Sequence, residues 1–339
     1  MVSRLEQQQQ FCIEQGWGMA EIFPLPSDAS FRTYTRLIRG NKSVMLMDAP
    51  PEHENLGAYV HVGAHLKSLG IHTPDIYAHD LELGFALLED FGDDTFTRLL
   101  ENGRDEHTLY ERAIEVLVHI QKSPKAMAIK APLYDESLLL LEAERFIDWF
   151  VPAVRRRDVT PAERDIYLAG WADALTHVSG DRSMLVVRDF HVDNLMIVAG
   201  IEGIASCGLL DFQDALIGSP AYDLVSLVED ARRDVQDSTR ALVFDRYFEA
   251  FPDIKRHEFE RNMALLGAQR HVKVLGLFAR LSMRDNKHIY LKHIPRVLRL
   301  LDNCLSIPEL HAMRRIIDKM VPGWRTAEID TQPSSLYAE

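Results

Sequence analysis

The chain has 339 residues, is 47% hydrophobic and carries a formal net charge of −13. That length and apolar content suffice for a sizeable core in about two lobes, and the acidic balance excludes a general nucleic-acid binder, which needs a basic face to neutralise phosphates. Cys12, Cys207 and Cys304 lie far apart, with no CxxC and no short zinc-type spacing, and read as free thiols of a reducing compartment. The start of the chain lacks the apolar core of a signal peptide, and no apolar run reaches the ~18 residues of a membrane span. The expectation is a cytoplasmic monomer with no membrane and no nucleic-acid partner.

Residues 3–16 have the pattern of an amphipathic helix that stops at Gly16 or Gly18. Residues 31–38 alternate and are β-branched enough for a strand. Gly40-Asn41 is a turn, and residues 43–47 complete a hairpin. Residues 54–69 read as a helix ended by Gly70, and two short strands follow around 76–78 and 85–89. Beyond Phe91-Gly92 the period becomes helical, over 95–100, 107–121, 136–150 and 161–177. A β-rich island interrupts it, with apolar runs at 184–187, 195–198 and 204–210. The pattern is then helical to about Lys319 and polar after Gly323. The chain thus divides into a small antiparallel-sheet lobe at 1–91, a mostly helical lobe at 92–322 and a loose tail at 323–339.

The island carries the chemistry. Between its first two apolar runs stand Arg188, Asp189, His191, Asp193 and Asn194, groups costly to bury unless a partner or ligand satisfies them. The third apolar run ends on Asp211, expected at the rim of the same small sheet as Asn194. Phosphoryl transfer uses such a set. Its transition state spreads negative charge, so a metal ion and positioning do most of the work. Mg²⁺ takes hard oxygen ligands, which an Asp at a strand end and an Asn on a neighbouring loop can supply. A second Asp can receive or orient the proton of an acceptor hydroxyl.

At these residues the sequence resembles the protein-kinase and aminoglycoside-phosphotransferase superfamily. Asp189 followed five residues later by Asn194 has its catalytic-loop spacing, and Asp211-Phe212-Gln213-Asp214 is similar to its metal-binding segment. Ile217-Gly218-Ser219-Pro220-Ala221-Tyr222-Asp223-Leu224 is the strongest local match to the aminoglycoside-phosphotransferase-like branch. The resemblance implies an α+β, bilobal protein-kinase-like fold using ATP and Mg²⁺. It makes Asp189 the catalytic base, Asn194 and Asp211 metal ligands, and Asp223 a buried structural acid. Four further stretches, 27–34, 46–51, 87–92 and 270–276, together with 278–281, resemble bacterial N-acetylmuramate/N-acetylglucosamine anomeric kinases over roughly residues 10–305. A sugar acceptor in cell-wall recycling is what that resemblance implies.

Two kinase features are missing. No glycine-rich loop covers the phosphates, so Ser27, Asp28, Ala29 and Ser30 would have to cradle them with backbone N–H groups, or else form a plain polar turn. Met45-Leu46-Met47 stands where the second strand carries a phosphate-binding lysine, and Arg32 is the candidate replacement cation. Glu54 is considered as the partner glutamate and not adopted. Glu89-Asp90-Phe91 reads as the connector whose backbone holds adenine, or as a connector only. Arg270, His271 and Arg280 fall on a late helical face and either line the sugar pocket or make salt bridges. Two other functions stay open: a kinase for an amino alcohol, amino acid or aminoglycoside, and a catalytically inactive nucleotide-binding protein.

Overall fold

A computed structural model describes residues 3–26 and 30–329. Helix α1 (Arg4–Glu14) opens with a capping box, in which Ser3 Oγ accepts from the Glu6 N–H and the Glu6 carboxylate accepts from the Ser3 N–H. Strands β1 (Glu21–Pro24), β2 (Thr33–Arg39) and β3 (Lys42–Asp48) follow, then α2 (Leu56–Ser68), β4 (Ile76–Asp80), β5 (Phe85–Leu88), α3 (Phe96–Glu101) and α4 (Glu106–Lys122). Helix α5 (Glu136–Arg145) runs through one π-helical turn at Phe146–Phe150 into α6 (Val151–Arg155), and α7 (Pro161–Leu175) comes next. Four three-residue strands form the island: β6 (Met184–Val186), β7 (Leu195–Ile197), β8 (Cys207–Leu209) and β9 (Leu216–Gly218). The chain ends with α8 (Ala221–Val228), α9 (Asp237–Ala250), α10 (Arg256–Met283), α11 (Ile294–Cys304) and α12 (His311–Met320).

Most elements lie within a few residues of their sequence expectation. β1 was not expected. All four of its residues are exposed and it ends in Pro24, which only an edge strand tolerates, so it shows no core alternation. The helix expected at 136–150 continues to Arg155. The π turn sits just ahead of Pro152, whose ring would clash with a carbonyl one turn back in a regular helix. The island is not one sheet. β6 pairs with β9, and β7 with β8, in separate two-stranded ribbons.

By compactness the chain forms two units, Met1–Ile129 with His191–Ala215, and Lys130–Phe190 with Leu216–Glu339. The first holds an antiparallel sheet in the order β1-β2-β3-β5-β4, helices α1 to α4 and the ribbon β7–β8. This cut differs from the boundary read at 91: α3 and α4 group with the sheet, and backbone bonds tie the ribbon to the same unit. The Leu209 N–H donates to the His72 carbonyl at 2.8 Å and the Ile197 N–H to the Asp94 carbonyl at 2.9 Å. Phe11 and Cys12 of α1 pack on Leu37, Val44, Leu46, Phe85 and Leu87 of the sheet.

The second unit holds β6–β9 and α5 to α12, with the 28-residue α10 packed against α5, α8 and α11. Gly276 lets α10 lie directly on the Arg145 backbone, where any Cβ would collide with the carbonyl. Trp324 is fully buried and its indole donates to Asp318 Oδ1 at 2.9 Å, so the chain is packed past Gly323; residues 330–339 of the expected tail lie outside the described residues.

Candidate active site

In the sheet-bearing unit the site is built around Asp211. β7 and β8 run antiparallel with Leu195 opposite Leu209, and the Leu210 N–H donates to the Asn194 carbonyl at 2.9 Å. Asn194 and Asp211 are thereby held at the same end of one ribbon. Phe212 is fully buried and packs on Tyr59 of α2 with ring centroids 4.8 Å apart. Gly63 makes room for that ring, since a Cβ there would lie 3.1 Å from it. With Phe212 anchored inward, Asp211 takes φ +57°, and its side chain keeps 36% exposure. A non-glycine residue held in the left-handed region stores local strain of the kind found at ligand sites.

Arg32, just before β2 and 8% exposed, donates through Nη2 to Asp211 Oδ1 at 2.6 Å. Its Nε lies 3.5 Å from Glu54 Oε2, and Glu54 Oε1 accepts from the Phe31 N–H at 3.1 Å. Gln213 Nε2 also donates to Asp211 Oδ1, at 2.9 Å. Arg32 is thus a buried cation facing Asp211, Glu54 and Asp214. Three carboxylates around one guanidinium leave an excess of negative charge that suits a further cation. Arg32 Nε and Nη1 are buried without a hydrogen-bond acceptor, an arrangement costly without a ligand. The phosphate-loop residues Ser27, Asp28 and Ala29 lie outside the described residues. Ser30 is exposed and its hydroxyl accepts from the Arg32 N–H at 3.1 Å.

The strand lysine is absent as expected. Met47 is fully buried in β3, and Lys42 is exposed at the hairpin end. Along the connector, the Glu89 N–H donates to the Asp75 carbonyl at 2.8 Å, and Phe91 packs with Met196, Val198 and Leu210. Asp90 binds Arg36 through both oxygens, at 2.7 and 2.9 Å. Burial opposes ionisation of Asp90, but the Arg36 bonds prevail and hold it below the usual carboxylate range.

In the helical unit the site is built around the turn after β6. Asp223 is fully buried, and its two oxygens accept from the Val187 and Arg188 N–H groups, each at 2.7 Å. Burial pushes its carboxyl up to about 7 against the pull of those two amides. Arg188 takes φ +81°, fixed by this bond, by Ser226 Oγ donating to its carbonyl at 2.8 Å and by a side-chain pair with Glu142. Asp189 follows with 28% of its side chain exposed, and Arg270 Nη1 lies 3.6 Å from its Oδ1.

Beneath the turn is a dense polar network. Arg270 and Lys273 donate to the Tyr222 hydroxyl at 3.3 and 3.4 Å. Lys273 also pairs with Glu142 at 3.0 Å, and Tyr134 donates to Glu142 at 2.6 Å. Burial raises the Glu142 carboxyl, but Lys273 and Arg188 outweigh it and hold the group down to about 2.

The structure therefore places Asn194, Asp211, Arg32 and Ser30 together in one unit, and Asp189, Asp223 and Arg270 together in the other. His271 and Arg280 do not join either group. His271 is 1% exposed and bonds Glu229 at 2.8 Å, while burial, with Arg145 and Arg284 nearby, lowers the pKa of the half-buried Arg280. Sequence reasoning missed Glu142, although a glutamate directly after Leu138-Leu139-Leu140-Leu141 is a candidate for a buried acid in need of a partner. It also declined Glu54, which does meet Arg32.

The model of the Phosphotransferase enzyme family matches residues 21–259. The chain is 34% identical to the N-acetylmuramate/N-acetylglucosamine kinase of Caulobacter vibrioides, covering 92% of this chain and 95% of that protein. It is 35% identical to the protein of the same name from Pseudomonas aeruginosa, covering 92% and 93%. Among solved structures it is similar to the choline kinase LicA from Streptococcus pneumoniae, with TM-score 0.62 and 14% identity over 90% of this chain and 100% of that one, a likeness of fold.

Proposed function

The chain belongs to the phosphotransferase enzyme family, and from that premise we propose that it transfers the γ-phosphoryl group of ATP to the anomeric hydroxyl of N-acetylmuramate or N-acetylglucosamine. The observation that carries this reading is the near-complete overlap with two kinases named for those sugars, in a chain that keeps Asp189, Asn194 and Asp211 in order.

Asp189 receives the proton of the acceptor hydroxyl as the new bond to phosphorus forms. Arg270 acts through Asp189: it is 5% exposed and paired with the carboxylate, which fits a buried brace better than a sugar contact. Asp223 keeps the turn in place by accepting from two consecutive backbone amides. Asn194 and Asp211 would hold Mg²⁺, which when bound neutralises charge on the phosphate oxygens. Their fit rests on oxygen donors at one ribbon end and on the excess of carboxylates around Arg32.

Arg32 supplies the fixed cation that the second strand lacks, with Glu54 as its partner. Ser27, Asp28, Ala29 and Ser30 would shield the phosphates. The connector would offer adenine the Glu89 carbonyl and the Phe91 amide, since the Glu89 N–H is already bonded to Asp75. His271 has no place in this mechanism, and Arg280 remains the candidate for the sugar side.

A panel of acceptors with Mg-ATP tests the reading. N-Acetylmuramate or N-acetylglucosamine should drive ADP release at least tenfold faster than choline, amino acids or aminoglycosides. Preference for a cationic acceptor would overturn the sugar assignment, and ATP binding with no acceptor-dependent turnover would favour an inactive nucleotide-binding protein.

A further inference from the structure

Away from this chemistry, the helical unit brings Glu229, His271 and Cys304 together. They come from the residue that caps the C-terminus of α8, the middle of α10 and the last residue of α11, and all three are buried. One oxygen is common to the cluster: Glu229 Oε2 lies 2.8 Å from His271 Nε2 and 3.5 Å from Cys304 Sγ. The three donor atoms all fall within 4.8 Å of one another. We propose that Glu229, His271 and Cys304 form a binding site for a transition-metal ion, with zinc the best match to the donor set.

Carboxylate oxygen, imidazole nitrogen and thiolate sulfur together are donors of borderline softness, which select zinc over Mg²⁺ or Ca²⁺. A tetrahedral zinc site has metal–ligand bonds of about 2.0–2.3 Å and therefore ligand separations of roughly 3.3–3.7 Å. The two Glu229 separations, 2.8 and 3.5 Å, lie within an ångström of those values, and the His271–Cys304 separation is no more than 4.8 Å. The space is kept by Gly267, where a Cβ would stand 2.9 Å from Cys304 Sγ and 3.0 Å from Glu229 Oε2. Any other residue at 267 would press into the donors.

Arg240 donates at 3.0 Å to the other oxygen, Oε1, so it orients the carboxylate and leaves Oε2 to the ion. Glu229 and Cys304 also line a cavity of about 430 Å³ that Asp237, Glu260 and Asn303 border. It gives a cation a polar approach and room for a water as fourth ligand. On binding, the ion replaces the thiol proton and any proton on His271 Nε2, and those protons leave to solvent. Sequence spacing could not reveal the site, because its three ligands are 42 and 33 residues apart along the chain (271 − 229 and 304 − 271).

The test is metal content and cobalt spectroscopy on the full chain. After chelation and dialysis, wild type should take up one zinc per chain and gain several degrees in Tm. Co²⁺ should give a thiolate-to-cobalt charge-transfer band. Cys304→Ser and Glu229→Gln should each weaken uptake at least tenfold. Should either fail to fold, a Cys12→Ala, Cys207→Ala chain decides: the band must persist with Cys304 as its one thiol. Sub-stoichiometric uptake by wild type, a cobalt spectrum without the band, or full uptake by Cys304→Ser would overturn the proposal.

Discussion

The two units treat the carboxylates of the candidate site in opposite ways. In the sheet-bearing unit Asp211 is a third exposed and meets a buried arginine that has more acid around it than it can neutralise. In the helical unit Glu142 and Asp223 are closed off, each accepting several donors, and Asp189 alone stays partly open. One region holds charge available for a ligand. The other spends its charges on one another to fix a turn. Acids in the first should govern chemistry with modest effect on folding, while acids beneath the second should govern stability.

The largest effect expected is at Asp211. Asp211→Asn should lower kcat by at least about 10³-fold, roughly 4 kcal/mol, with Tm nearly unchanged. Asparagine tolerates the left-handed backbone and still accepts from Arg32, so it separates chemistry from folding better than alanine. A Tm loss of many degrees at full activity would reverse the comparison.

Next comes Glu142. Held down to about 2, against an ordinary value near 4.5, it favours the folded state above about pH 4.5, and that contribution is lost as pH falls toward 2. The contribution is on the order of 3 kcal/mol. Urea titrations at several pH values should show wild type losing stability across that window and Glu142→Gln, already weaker at pH 7, losing less. Parallel curves would remove Glu142 from the network.

Arg270→Ala should lower kcat about 10²-fold with little change in KM for ATP, because it pairs with Asp189, the proposed base. Arg270→Lys should recover part of the loss. A change confined to the sugar KM would restore Arg270 to the sugar pocket. The smallest effect is at Arg32: Arg32→Lys should raise KM for ATP about tenfold, since lysine keeps the charge but not the fork that reaches both Asp211 and Glu54.

Much of this was legible in the sequence, and what was not has physical causes. The β2–β3 hairpin, α4 and α7 carry periodic apolar patterns, so they were placed within a few residues, whereas α8 to α12 were read only as one helical stretch. Asp189, Asn194 and Asp211 stood out as candidates because polar groups between apolar runs are costly to bury without a partner. β9 (Leu216-Ile217-Gly218) has only two apolar residues before Gly218-Ser219-Pro220, so no strand run shows there. The Arg32–Asp211 pair joins residues 179 apart, and Arg188–Glu142 joins residues 46 apart, so neither has a local signature. For His271 the sequence left a sugar pocket and a salt bridge both open, and its partner in the fold is Glu229.

The most direct test of the central claim follows phosphorus itself. Wild type, Mg-ATP and N-acetylmuramate should give a ³¹P signal coupled to the anomeric proton, the mark of a sugar 1-phosphate, and Asp189→Asn should slow its appearance by about 10²- to 10⁴-fold. Phosphate on any other hydroxyl, or equal rates from the two proteins, would contradict the account.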